Sequence, residues 1–199
     1  PKNPKADILG NQLKYWGRRG IHYHQFLEAG DNTLNLQLAA ELYRNCILNG
    51  GFDPETWLKR YVEVMLTPGW HQDTYAEEYH RAFFDNYSSG KPLFSCGISD
   101  YHIGGLSLIP ALLASMEALD LSDSSDQLEK VLNLVRLTHN HEYTLRAATD
   151  FTRILHRLVQ GESIRHTLKT LPIPGVSVRL LEKWESMDDR AVVGDTLST

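Results

Sequence analysis

Cysteine is scarce in this chain, with two residues in 199, Cys46 and Cys96. Two thiols cannot staple a disulfide-rich scaffold, and no cysteine pattern of the kind that holds a metal occurs. Their scarcity predicts a reducing, cytoplasmic setting. Long apolar runs are missing as well. No stretch approaches the roughly 20 residues that a membrane-spanning helix needs, and the opening Pro1-Lys-Asn-Pro-Lys lacks the apolar core of a secretory signal. No membrane partner is expected. Positive charge is also short, with 20 Lys and Arg against 25 Asp and Glu and a formal charge of −5. Nucleic-acid affinity rests on clustered cations. The one basic patch, Arg18-Arg19 beside His22 and His24, is too short to supply them, so no nucleic-acid partner is expected. Nucleophile elbow, phosphate-binding glycine loop and His-Glu-x-x-His run are all absent. Nothing supports a conventional hydrolase or kinase.

What is present is ordinary globular composition, 42% hydrophobic and 23% charged. A chain of this length suits one domain over residues 1–199, burying about 70% of the surface its unfolded form would expose. Residues 1–20, rich in Pro, Gly and Lys, show no period and read as an extended lead-in. Helical spacing then takes over. Asp31, Asn32 or Thr33 can cap a helix over 31–49, with Leu34, Leu38 and Leu42 on one stripe and Gly50-Gly51 as its stop. Asp53-Pro54 is an N-cap and first-turn pair ahead of Trp57, Leu58, Tyr61, Val62 and Met65. Asp73 is expected to cap a third helix through Tyr87, with Tyr75, Tyr79 and Phe83 in the core. Phe94 to Ser107 has no helical period and many small residues, which predicts a structured loop of the kind that often carries function. Leu106 to Leu121 is nearly all apolar, so a helix buried on most sides is expected. Two long helices and two short ones complete an all-α fold with no convincing strand pair.

Polar chemistry is densest between His22 and Thr33. A helix start there exposes unpaired N–H groups beside a carboxylate and a hydroxyl, which can make a ligand site or simply cap the helix. His22 and His24 flank Tyr23, a spacing found in metal sites and on solvated surfaces alike. His102, in the glycine-containing loop, is a candidate functional histidine. His139 and His141 can serve a helix end.

Several stretches carry a family resemblance. Gly30-Asp-Asn-Thr-Leu34 resembles the Thr-Asp-Asp-Thr run that opens a helix and holds two magnesium ions in the ADP-ribosylglycohydrolases. Tyr15-Trp-Gly-Arg-Arg-Gly-Ile-His-Tyr-His-Gln-Phe-Leu27, followed by Ala29 to Leu36, is similar to the J1-crystallin and selenoprotein J branch of that family. Leu137-Thr-His139 with Arg146-Ala-Ala148 resembles the family's Thr-His element. His102 to Ser107 stands where the family has an ADP-ribose-contacting loop, without that loop's Asn and Arg. The resemblance implies a compact all-α domain, lacking some terminal family segments, that hydrolyses a glycosidic bond to ADP-ribose with metal assistance. It implies metal contacts at Asp31, Asn32 and Thr33, substrate contacts at His102, Gly104, Gly105 and Ser107, and no identifiable catalytic residue. Since Gly30 and Asn32 replace two of the family's metal ligands, magnesium is expected singly and weakly. The alternatives are a catalytically silent, crystallin-like structural protein and an ADP-ribose binder. Missing family segments would leave an apolar face uncovered or paired with a second copy. Gly194-Asp-Thr-Leu-Ser-Thr199 echoes the family's late metal-binding run, with Leu197 in place of its second Asp.

Overall fold

The computed structural model describes residues 8–121, 124–173, 177–185 and 187; the echo at 194–199 lies outside them. Among the described residues the chain forms eight α-helices and three short 3-10 turns, an all-α fold. The helices are α1 (Leu34–Asn49), α2 (Pro54–Leu66), α3 (Glu78–Ser88), α4 (Ile109–Ala118), α5 (Ser124–Arg136), α6 (Glu142–Val159), α7 (Ile164–Thr170) and α8 (Val178–Glu185). No helix among them is long and apolar enough to cross a membrane.

Contacts group the chain into two compact units, residues 1–149 and 150–199. In the first, α1 packs most extensively on α4 and also on α2, while α4 meets α5. Leu38, Leu42 and Cys46 on α1 and Leu58, Tyr61 and Met65 on α2 are buried, as are Ile109, Leu112 and Met116 on α4. Burying a side chain of the Leu class is worth about 2 kcal/mol. Glu41, buried on α1, accepts from Arg60 of α2 at 2.6 Å and from Arg44 at 3.0 Å. In the second unit α7 packs on α8, with Arg165 paired to Glu185 at 3.0 Å.

Helix ends follow local chemistry where local chemistry suffices. Asp53 accepts the Thr56 N–H, Pro54 takes the first turn, and Gly50 closes α1 at φ 69, a left-handed position that suits glycine. Elsewhere distant groups intervene. Residues 10–15, inside the segment expected to be extended, form a 3-10 turn. Ile8 and Leu9 ahead of it are buried, and His71 Nε2 donates to the Ile8 carbonyl at 2.8 Å. The third helix starts at Glu78 instead of Asp73, because Asp73 is engaged by other segments. Tyr75 therefore leaves the expected core stripe and is 43% exposed, whereas Tyr79, Phe83 and Phe84 are buried. Helix α4 is buried along one face and not on most sides, with Ala114 and Ala118 exposed.

Candidate functional site

A cleft of about 860 Å³ opens at the start of α1. Its walls come from Tyr23 and His24, from Thr33 to Asn35, from the approach to α3 (Asp73, Tyr75 and Glu77 to Tyr79) and from the loop Ile98 to His102. The segments are fastened by backbone bonds. Thr74 N–H donates to the Tyr23 carbonyl at 2.9 Å, and Ile98 pairs with the chain around His139, its N–H donating to the Thr138 carbonyl at 3.2 Å.

Asp73 is the centre of the arrangement. It is 2% exposed, and its Oδ2 accepts the Leu34 N–H at 2.6 Å, so a carboxylate 39 residues away caps α1. Thr33 occupies the N-cap position but makes no side-chain cap bond. The other oxygen, Oδ1, lies 2.6 Å from His24 Nδ1. A carboxylate has only acceptors to offer, so Nδ1 carries a proton, and in the neutral ring His24 Nε2 holds the lone pair. His102 is fixed the opposite way. Its Nδ1 accepts the Gly104 N–H at 3.1 Å, which leaves the proton on Nε2. His102 N–H in turn donates to Asp100 Oδ1 at 2.9 Å, and Thr144 Oγ1 donates to the Asp100 carbonyl at 2.7 Å.

Four carboxylates, Asp73, Glu77, Glu78 and Asp100, line the cleft, and no Lys or Arg stands among the described lining residues. Tyr75 stacks on Trp16 with ring centres 5.3 Å apart, and the Arg81 guanidinium lies 5.1 Å from the Trp16 ring centre. In and behind the cleft wall several ionisable groups are buried. Burial raises the Tyr61 and Tyr79 hydroxyls well above their usual range, with Glu77 adding to it. Burial holds the His80 ring well below its usual value and His139 down at about 4.

The expected site residues are distributed unevenly over this geometry. Thr33 and His102 line the cleft, and Asp31 and Asn32 do not. Asp31, exposed, closes a turn by accepting the Glu28 N–H at 2.9 Å, while the Asn32 carbonyl accepts from Gln37 Nε2 at 2.9 Å. Gly104 and Gly105 line a separate cavity of about 20 Å³ with Tyr61, Tyr79 and His80. They are glycines for want of space: a Cβ on Gly105 would fall 2.7 Å from His139 Cγ, and one on Gly104 would fall 3.0 Å from Tyr79. Ser107 Oγ donates to the Gly104 carbonyl at 2.8 Å and so closes the loop. His139, just past the end of α5, is fully buried against this loop, with its Nδ1 2.8 Å from Thr138 Oγ1.

Magnesium needs several hard oxygens converging on one point. Asp31 spends one oxygen on a backbone N–H outside the cleft, and no group of three His, Cys, Asp or Glu side chains suited to an ion is assembled among the described residues. This donor set fits a tightly held ion poorly.

Asp73 and His24 are the residues that sequence reasoning assigned otherwise. A signal was present, because Asp73 lies five residues before Glu78, too far ahead of the Tyr79 and Phe83 stripe to cap the helix that carries it. A small-molecule-sized cleft walled by carboxylates, histidines and tyrosines thus opens at a helix start of this all-α fold. The chain belongs to the ADP-ribosylglycohydrolase family, whose profile matches residues 5–196. No curated protein and no solved structure matches it.

Proposed function

We propose that the cleft takes ADP-ribose, or an ADP-ribosylated substrate, and that water there cleaves the bond at the anomeric carbon. The observation that carries the reading is the family profile over residues 5–196 together with a cleft of about 860 Å³ at the start of α1. That volume lies in the range of roughly 300–1,000 Å³ that small-molecule sites occupy. Thr33 and His102 would meet the ligand directly, while Gly104, Gly105 and Ser107 set the backbone that carries His102. The wording from Tyr15 to Leu36 supports the J1-crystallin and selenoprotein J branch. Two buried free cysteines and a charge of −5 support a cytoplasmic protein without nucleic-acid partners. Magnesium belongs to this reading only as a weak single ion near Asp31.

A second reading, a catalytically silent structural protein, is favoured by the electrostatics. A diphosphate carries two negative charges into a cleft lined by four carboxylates and no described cation. Titration calorimetry with ADP-ribose, with and without magnesium, and chromatography of ADP-ribosylated peptides after incubation decide between the two. Saturable binding with release of ADP-ribose is expected. Absence of both leaves the structural reading, and binding without release leaves a binder.

A further inference from the structure

We propose that His24 and His102 divide the chemistry of the cleft between opposite tautomers, His24 taking a proton from the attacking water and His102 donating a hydrogen bond to the departing group. This rests on the hydrolytic reading above and deepens it. It requires no ion.

The assignment follows from the partners of each ring. His24 Nδ1 faces a buried carboxylate at 2.6 Å, so its Nε2 is the free, basic position of a side chain that lines the cleft and is 36% exposed. His102 Nδ1 is occupied by a backbone N–H, so its Nε2 is a donor at the same cleft. An imidazole held by a buried Asp is the arrangement that orients a general base and stabilises the cation it becomes. A neutral imidazole with its proton fixed outward polarises a leaving atom without losing that proton, as an electrophilic histidine does. Other cleft acceptors are partly spent. Asp73 uses both oxygens, Asp100 Oδ1 holds the His102 N–H, and Glu77 Oε2 accepts from Asn35 Nδ2 at 3.4 Å. His22 and Tyr23 on the same segment set their rings against His24, and Tyr75, Glu78, Tyr79 and Tyr101 line the same cleft.

In the step itself, the water oxygen bonds the anomeric carbon as one water proton passes to His24 Nε2. The bond from that carbon to the departing group breaks with its electron pair on that group. A solvent proton neutralises the departing group, and His24 later returns its own proton to solvent. His102 keeps its proton throughout. Asp73 touches no reacting atom and is a positioning residue.

Two measurements on the intact chain separate this proposal from the reading beneath it. Long-range proton–nitrogen correlation spectra of the wild type, with histidine nitrogen-15 labelled, are expected to show His24 as the Nδ1–H form and His102 as the Nε2–H form. Asp73→Asn should shift His24 toward the other tautomer and leave His102 unchanged. In turnover of ADP-ribosylated peptide, His24→Gln should lower kcat by about 100-fold or more with KM within about twofold. His102→Gln, which keeps an N–H donor, should retain more activity than His102→Ala. Equal tautomers at the two rings, or an unchanged kcat in His24→Gln, overturns the proposal even in an active protein. Expected tautomers in a wild type that cleaves nothing overturn the catalytic roles and identify the hydrolytic reading as the failure.

Discussion

His139 shows how a single side chain can set a solution property. Burial holds it neutral with a value of about 4, against about 6.5 in an unfolded chain. Between those values the unfolded state binds the extra proton, so stability is fully present above about pH 6.5 and falls as pH drops toward 4. The interval is worth on the order of 3 kcal/mol. Thermal unfolding followed from pH 7.5 to pH 4.5 is expected to show a falling midpoint, and His139→Gln should flatten that slope. A wild-type midpoint independent of pH would remove the argument. Gly105 offers the complementary test. A methyl group there meets the buried His139 ring at 2.7 Å, and overpacking of this kind costs about 1–3 kcal/mol. Gly105→Ala should therefore lower the unfolding midpoint and disturb His102, whose carbonyl the Gly105 N–H reaches at 3.4 Å.

At the scale of the element, legibility followed the distance over which the determining group acts. Helix α2 could be read from the sequence because Asp53, Pro54 and Thr56 settle its start within a few residues. Removing that cap, Asp53→Ala, should cost about 1 kcal/mol in urea unfolding without touching the cleft. The core stripes Leu34, Leu38, Leu42 and Trp57, Leu58, Tyr61 were legible for the same reason. The group that caps α1 was not, since Leu34 N–H is satisfied from 39 residues away and three nearer candidates stand in front of it. The bonds to Asp73 also explain why the third helix starts late, why Tyr75 left the core, and why His24 Nδ1 is held at the cleft. Thr33 and His102 could be singled out from sequence because they sit where a helix starts and where a glycine loop turns. Their companions could not, because only folding brings residues 24, 34 and 73 together.

For the molecule as a whole, charge is the governing quantity. Most phosphate-binding proteins lose affinity as salt rises, because cations face the ligand. Here Asp73, Glu77, Glu78 and Asp100 face it, so screening should relieve repulsion. Affinity for ADP-ribose is expected to rise roughly two- to threefold as sodium chloride goes from about 50 to about 300 mM. Calorimetry at several salt concentrations checks the sign, and a steep loss of affinity would mean that a cation faces the ligand.

The bond from Leu34 N–H to Asp73 has one more consequence. Because a helix start and a cleft wall share one carboxylate, the first turn of α1 is no more durable than the fastening of the segment that carries Asp73. Deuterium uptake at the Leu34 amide therefore reports on the cleft from inside the backbone, without label or dye. A ligand that draws the walls together should slow that uptake, and one that pries Asp73 away should hasten it. The amides near Cys46, at the far end of the same helix, should stay as they were. Equal changes at both ends would mean that the helix breathes as one piece and carries no message from its occupant.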